Sequence, residues 1–191
     1  MAKESKRGNP LLVIVGMAGS GKSSVARHLE RKGWRVIRFG ALTMRELELR
    51  NLSINEANEK KVREELRAKH GMAAYAKLLL PMIVKSLSAG PTVIDGLYSW
   101  AEYKYLKRKV DNHLKLVAIY TTRSVRYGRL SKRPERPLSF KEAEQRDFNE
   151  IENAEKGGPI AIADYLIIND GSEDDLHKAV DAVLSTIYPP S

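Results

Sequence analysis

Five short apolar runs punctuate a mostly polar chain of 191 residues, and the segments between them repeat apolar residues at helical spacing. The first run, Leu11–Val15, is an unbroken Leu-Leu-Val-Ile-Val, the pattern of a strand buried on both faces of a parallel sheet. Trp34–Phe39, Thr92–Ile94, Leu114–Tyr120 and Tyr165–Ile168 have the same short, β-rich character. Strands alternating with helices predict an α/β fold. A helix is expected over Ser23–Lys32, and two more are announced by start signals: Ser53 with Glu56, and Ser172 with Asp175, each read as a capping box. Between the second and third strands lies a long helical insertion, from Thr43 to Ala89, expected to break near Gly71 and Pro81 and suited to a substrate clamp. Met1–Pro10 is basic and aperiodic and reads as a flexible tail, leaving residues 11–191 as one domain.

The first strand runs into Gly16-Met17-Ala18-Gly19-Ser20-Gly21-Lys22-Ser23, which fits G-x-x-x-x-G-K-[ST] at every fixed position, with Ser24 following in the helix. A glycine-rich turn between strand and helix directs backbone N–H groups and the helix N-terminus at phosphate oxygens. Lys22 supplies a cation for the β- and γ-phosphates, and Ser23 a hydroxyl for Mg²⁺. These residues therefore predict a site for ATP and Mg²⁺. Asp95 closes the third strand, at the edge of the sheet where open α/β folds bind ligands. There it could steady the Mg²⁺ shell or orient an attacking hydroxyl, and Asp before Gly is equally an ordinary turn.

From Arg123 to Arg136 the chain carries Arg123, Arg126, Arg129, Lys132, Arg133 and Arg136 against Glu135 alone. Arg126, Arg129 and Arg133 share one face if the segment is helical. Arginine forks suit the charge that spreads over a transferring phosphoryl group, so residues 123–137 read as a lid with Arg126, Arg129, Arg133 and Arg136 as catalytic candidates. The same segment also fits a basic helix that meets RNA or DNA phosphates. Within the insertion, Arg45, Arg63 and Arg67 are candidate anchors for an acceptor phosphate. Tyr98, Trp100, Tyr103 and Tyr105 could stack on a base or cover a helix seam. His28, His70, His113 and His177 have no metal-ligand spacing and read as structural or surface residues.

Composition sharpens this picture in two respects. A formal net charge of +9 favours polyanionic partners. With no cysteine, disulfide and thiolate metal sites are excluded. The apolar runs are too short to span a bilayer, which fits a cytoplasmic protein with no membrane partner.

Taken in order, Gly16–Ser23, Arg45, Leu66-Arg67 with Gly71, Asp95-Gly96, the arginine segment, Arg146-Asp147 and Ala163-Asp164-Tyr165-Leu166-Ile167-Ile168-Asn169 resemble the nucleoside-monophosphate kinase branch of P-loop proteins. The likeness is greatest to the archaeal group described as adenylate-kinase-related or dephospho-CoA-kinase-like. It implies a three-layer fold with a five-stranded parallel sheet ordered 2-3-1-4-5, an acceptor-binding insertion and an arginine-rich lid. It also implies that the loop at Asn169–Gly171 lies near the adenine. Two departures bear on the acceptor: Phe39-Gly40-Ala41-Leu42 lacks the acidic residue that dephospho-CoA kinases use on the acceptor hydroxyl, and Tyr98 stands where the archaeal group carries arginine. A phosphate acceptor is already anionic and has less need of a base, so a nucleoside monophosphate fits better than dephospho-CoA. The alternative is a nucleotide-dependent switch that binds RNA, DNA or a protein.

Overall fold

The computed structural model describes residues 9–110, 114–134 and 136–188; His113, Glu135 and most of the basic tail lie outside the described residues. Five parallel strands, β1 (Leu11–Val15), β2 (Arg35–Arg38), β3 (Thr92–Asp95), β4 (Leu114–Tyr120) and β5 (Tyr165–Ile168), form one sheet ordered β2-β3-β1-β4-β5, as the resemblance implies. All five run the same way, so their C-terminal ends share one edge.

β1 is buried at every position, since both faces of the sheet are covered. On one face Leu12, Ile14, Val117 and Ile119 pack with α1 (Lys22–Arg31) and α9 (Glu173–Ile187). On the other, Val13, Val15, Ile94 and Leu116 pack with α3 (Glu56–His70), α4 (Ala74–Ala89) and α5 (Trp100–Val110). The remaining helices are α2 (Gly40–Leu49), α6 (Arg123–Lys132), α7 (Phe140–Glu152) and α8 (Gly157–Ala161). Ahead of β1, the Asn9 side chain donates to Leu87 O at 2.7 Å and Pro10 O accepts from Thr92 N at 2.9 Å.

The insertion differs in detail from its sequence reading. It comprises three helices, with breaks at residues 50–55 and at Gly71. Asn55, not Ser53, caps α3, its side chain accepting from Asn58 N. Pro81 does not break α4. Tyr75, Leu79, Ile83 and Leu87 form a buried stripe along that helix, and burial of about 1.5–3 kcal/mol per large apolar side chain outweighs the roughly 3 kcal/mol that proline costs a helix interior. The Ser172–Asp175 capping box is present, and a second at Ser139–Glu142 opens α7.

Pro81 faces solvent and its ring replaces a backbone donor, so Pro81→Ala should raise stability by about 1–2 kcal/mol after allowing for the entropy the unfolded chain regains. Denaturant unfolding measures this; an unchanged or lower midpoint would mean that the proline matches a local bend.

Candidate functional site

The loop between β1 and α1 holds its shape through glycine. Gly16 has φ 147° and a Cβ there would lie 2.4 Å from Ile119 O in β4; Gly21 has φ 102° and its Cβ would meet Asn169 Nδ2 at 2.3 Å. Other side chains would have to displace β4 or Asn169. At the head of α1, the N–H groups of Lys22 and Ser23 have no carbonyl one helical turn behind them and are free for an anion. Within the loop, the buried Ser20 hydroxyl has no hydrogen-bond partner. Lys22 Nζ folds back to donate to Met17 O at 2.9 Å, and Ser23 Oγ donates to Asp95 Oδ2 at 3.3 Å across the β1–β3 edge.

Behind the loop is a buried frame. Asn169 Nδ2 donates to Ser20 O at 2.8 Å, while Asn169 O accepts from Thr121 Oγ1 and from Arg129 Nη1, each at 2.9 Å. Arg126 binds Asp147 through both terminal nitrogens, at 2.9 and 2.5 Å, and donates to Ala18 O at 3.0 Å. The Tyr127 hydroxyl donates to Asp147 at 3.1 Å. Arg126 is 6% exposed, so its charge serves the loop from behind.

In front of the loop opens a cavity of about 580 Å³, bounded by Lys22, Ser23 and Asp95, by α3, by the chain after α6, and by α7. Arg63 and Arg67 reach it from α3, Arg133 and Arg136 from the chain after α6, Arg146 from α7, and Lys156 from the start of α8. Carboxylates are interleaved with them. Arg63 pairs with Glu56 at 2.6 Å, Arg136 with Glu59, Arg146 with Glu56 at 3.5 Å and Glu150 at 3.4 Å, and Lys156 with Glu150 at 2.8 Å. The acids of α3 therefore hold Arg136, beyond α6, and Arg146, in α7, across the cavity mouth.

Crowded charge shows in the ionisation of these groups. Burial, and then the neighbouring Lys156 charge, bring the Lys22 ammonium down to about 7. Burial would raise Glu150, but Lys156, Arg146 and Lys22 outweigh it and hold that carboxyl at about 2. Burial also lowers Arg133, assisted by Arg146 and Arg136. Beneath the cavity wall, Glu102 accepts from the N–H groups of Tyr98 at 2.8 Å and Ser99 at 3.1 Å. Its Oε1 is buried without a partner, and burial raises the carboxyl to about 7.

Several sequence expectations are relocated by these contacts. Arg126, Arg129 and Arg133 do not share a helix face, because α6 ends at Lys132 and Arg133 continues in extended chain. Arg126 and Arg129 lie behind the loop and outside the cavity, whereas Arg133 and Arg136 line it. Arg45 points to solvent from α2, away from the cavity that Arg63, Arg67 and Tyr98 line. Asn169 is a buried prop for the loop. Ser24 bonds Glu173 and His177 on the α9 side. Of the four clustered aromatics only Tyr98 reaches the cavity; Trp100 and Tyr103 stack on each other at 5.3 Å, and Tyr105 packs against the core. His28 and His177 stack at 4.2 Å between α1 and α9. Arg38, Glu59, Glu150 and Lys156 line the cavity without having been singled out from the sequence, and no periodicity or motif marks them.

This loop, sheet order and cavity define a P-loop fold of the kinase type. Residues 12–166 match the family model described as an AAA domain. Among solved structures, the chain superposes on TT1252 from Thermus thermophilus with a TM-score of 0.65 at 22% identity, over 94% of this chain and 98% of that one. It also superposes on a shikimate kinase from Acinetobacter baumannii with a TM-score of 0.62 at 20% identity, over 99% and 100%. A gluconokinase from Sinorhizobium meliloti gives 0.60 at 16% identity, over 95% of both chains. The chain belongs to the UPF0200 family: it is 32% identical over 181 residues to the member from Thermococcus gammatolerans, covering 93% of this chain and 95% of that protein. It is 33% identical to the Pyrococcus furiosus member over 93% and 97%. Among the described residues no single helix is long and apolar enough to cross a membrane.

Arg126→Ala would strand the buried Asp147 charge and should cost about 3–5 kcal/mol in denaturant unfolding, with Asp147→Ala similarly damaging and the double change less than additive. Full stability of Arg126→Ala would show that the frame is dispensable. For Glu102 the folded value near 7 exceeds the unfolded value of 4.5, so wild-type stability falls as pH rises through that interval. Relative to wild type, Glu102→Gln should therefore gain on the order of 3 kcal/mol between pH 4.5 and 8. A stability difference independent of pH would contradict it.

Proposed function

We propose that the chain transfers the γ-phosphoryl group of ATP to a phosphate-bearing, nucleotide-like acceptor, a nucleoside monophosphate in preference to dephospho-CoA. The supporting observation is the convergence of Arg63, Arg67, Arg133, Arg136 and Arg146 on the same cavity as Lys22, Ser23 and Asp95. Planar guanidinium forks match phosphate oxygens, and five of them beside a triphosphate cradle suit an acceptor that is itself anionic.

In this reading the loop N–H groups and Lys22 hold the β- and γ-phosphates. Residues 43–89 bind the acceptor and residues 123–137 close over it. The loop around Asn169–Gly171, to which Arg129 is tied, borders the adenine. Ser23 and Asp95 offer a hydroxyl and a carboxylate, oxygen donors that suit Mg²⁺. Among the described residues no group of three or more His, Cys, Asp or Glu could hold a metal, so phosphate and water would complete its shell. Bound there, Mg²⁺ would neutralise charge that develops on the phosphates. An acceptor phosphate oxygen attacks the γ-phosphorus, the bond to the bridging oxygen breaks, and ADP leaves with that electron pair. Because the attacking oxygen is already anionic, the absence of an acid at Ala41 does not impede the step. Arg133 and Arg136 accompany the equatorial oxygens once the acceptor displaces Glu59 from Arg136.

Radiolabelled ATP offered with a panel of nucleoside monophosphates and dephospho-CoA tests the assignment. Transfer to at least one monophosphate is expected, falling by about 100-fold or more in Lys22→Met. Protein that binds ATP yet transfers to no acceptor, while binding RNA with a steep salt dependence, would favour the switch instead. Bound phosphate should also raise the lowered Lys22 value, so at pH 8 ATP binding should take up a fraction of a proton and at pH 5.5 almost none. Calorimetry in buffers of different ionisation enthalpy reads this directly, and equal buffer dependence at both pH values would contradict it.

A further inference from the structure

Lys156 is 1% exposed, the least exposed cation among the described residues. Its ammonium lies 2.8 Å from Glu150 Oε2 and 5.4 Å from the centre of the Tyr98 ring, and its own N–H donates to Glu150 O at 3.1 Å, which fixes it to the end of α7. Lys156 lines the same cavity as Lys22 on the phosphate side and Tyr98 on the acceptor side. It thus stands where those two halves meet. Its charge is the largest cause, after burial, of the lowered Lys22 value, so the two ammoniums are electrostatic neighbours. The cavity as a whole is lined by nine lysine and arginine side chains against five aspartates and glutamates. Recessed charge without a matching counter-ion is costly and marks a place made for an anion.

We infer that Lys156 is a second phosphate-contacting cation, whose ammonium leaves Glu150 to take an oxygen of the terminal phosphoryl group, and that Glu150 is the positioning residue that holds it until then. The inference deepens the phosphotransfer reading and rests on it for the identity of the anion. A lysine suits this position because its compact charge and three rotatable donors can follow a phosphoryl group as it moves between donor and acceptor. Glu150 holds the ammonium over the Tyr98 ring, so little rotamer freedom is lost when phosphate arrives.

Binding of Mg²⁺-tripolyphosphate, ATP and ADP by calorimetry, alongside steady-state transfer, tests this with wild type, Lys156→Met/Glu150→Gln, Glu150→Gln and Lys156→Arg. The double change removes both charges together and avoids stranding either. It should bind tripolyphosphate and ATP about 10-fold or more weakly, change ADP affinity by less than about 3-fold, and lower kcat about 100-fold with little change in acceptor KM. Glu150→Gln frees the lysine and should bind tripolyphosphate at least as tightly as wild type; Lys156→Arg should retain part of the ATP affinity. A folded double variant with the wild-type ATP-to-ADP affinity ratio would overturn the inference. If that variant does not fold, weaker tripolyphosphate binding by Glu150→Gln would overturn it instead. Lys156-dependent tripolyphosphate binding without transfer to any acceptor would remove the phosphotransfer reading alone.

Discussion

Like charge gathered where water is scarce is the constraint around which this site is built. Burial first, and then the nearby Lys156 charge, lower the Lys22 ammonium, and Arg146 adds a third cation, with Glu150 held ionised among them. In water such a group would disperse; here the backbone forbids it, since each cation is delivered by a different element. Lys22 comes from the head of α1, Arg146 from α7 and Lys156 from the start of α8. Burying like charge in this way costs stability, a trade commonly found at functional sites. Carboxylates relieve that cost in part, Glu150 foremost through its pairs with Arg146 and Lys156.

Rigidity behind the loop keeps that charge in place. Gly16 and Gly21 allow β4 and Asn169 to press against the loop at distances no side chain would permit. Asn169, Thr121 and Arg129 tie the ends of β4 and β5 to it, and the Arg126–Asp147 pair ties α6 and α7 to Ala18. Apart from the half-buried Arg129 bond, each is a buried hydrogen bond or ion pair with little freedom to rearrange. The front is different. Glu56 bridges to Arg146 through a partly exposed pair, and the buried Glu59 reaches a half-exposed Arg136, ties looser than those behind the loop.

How far the sequence revealed this depended on whether neighbours in space are neighbours along the chain. The loop from Gly16 to Ser23 was legible in full, because its chemistry needs consecutive residues between a strand and a helix. Sheet order followed from resemblance, and element positions from apolar runs. Helical spacing failed for the arginines: α6 stops at Lys132, and Asp147, one helix later, claims Arg126. Pro81 misled because a buried stripe on α4 outweighs a local penalty. Lys156 and Glu150 carried no signal at all. They meet Lys22 only after more than a hundred residues of chain have wound around the sheet, and a lysine before two glycines looks like any surface turn.

If phosphate donor and anionic acceptor occupy one continuous cavity, a ligand that fills both halves must gain from being linked. The most direct measurement is the calorimetric affinity of two nucleosides joined through a polyphosphate chain, compared with that of ATP alone under the same Mg²⁺ concentration. The account predicts that the linked compound binds about 100-fold or more tightly. Equal affinity for the two, or no uptake of either, would contradict it.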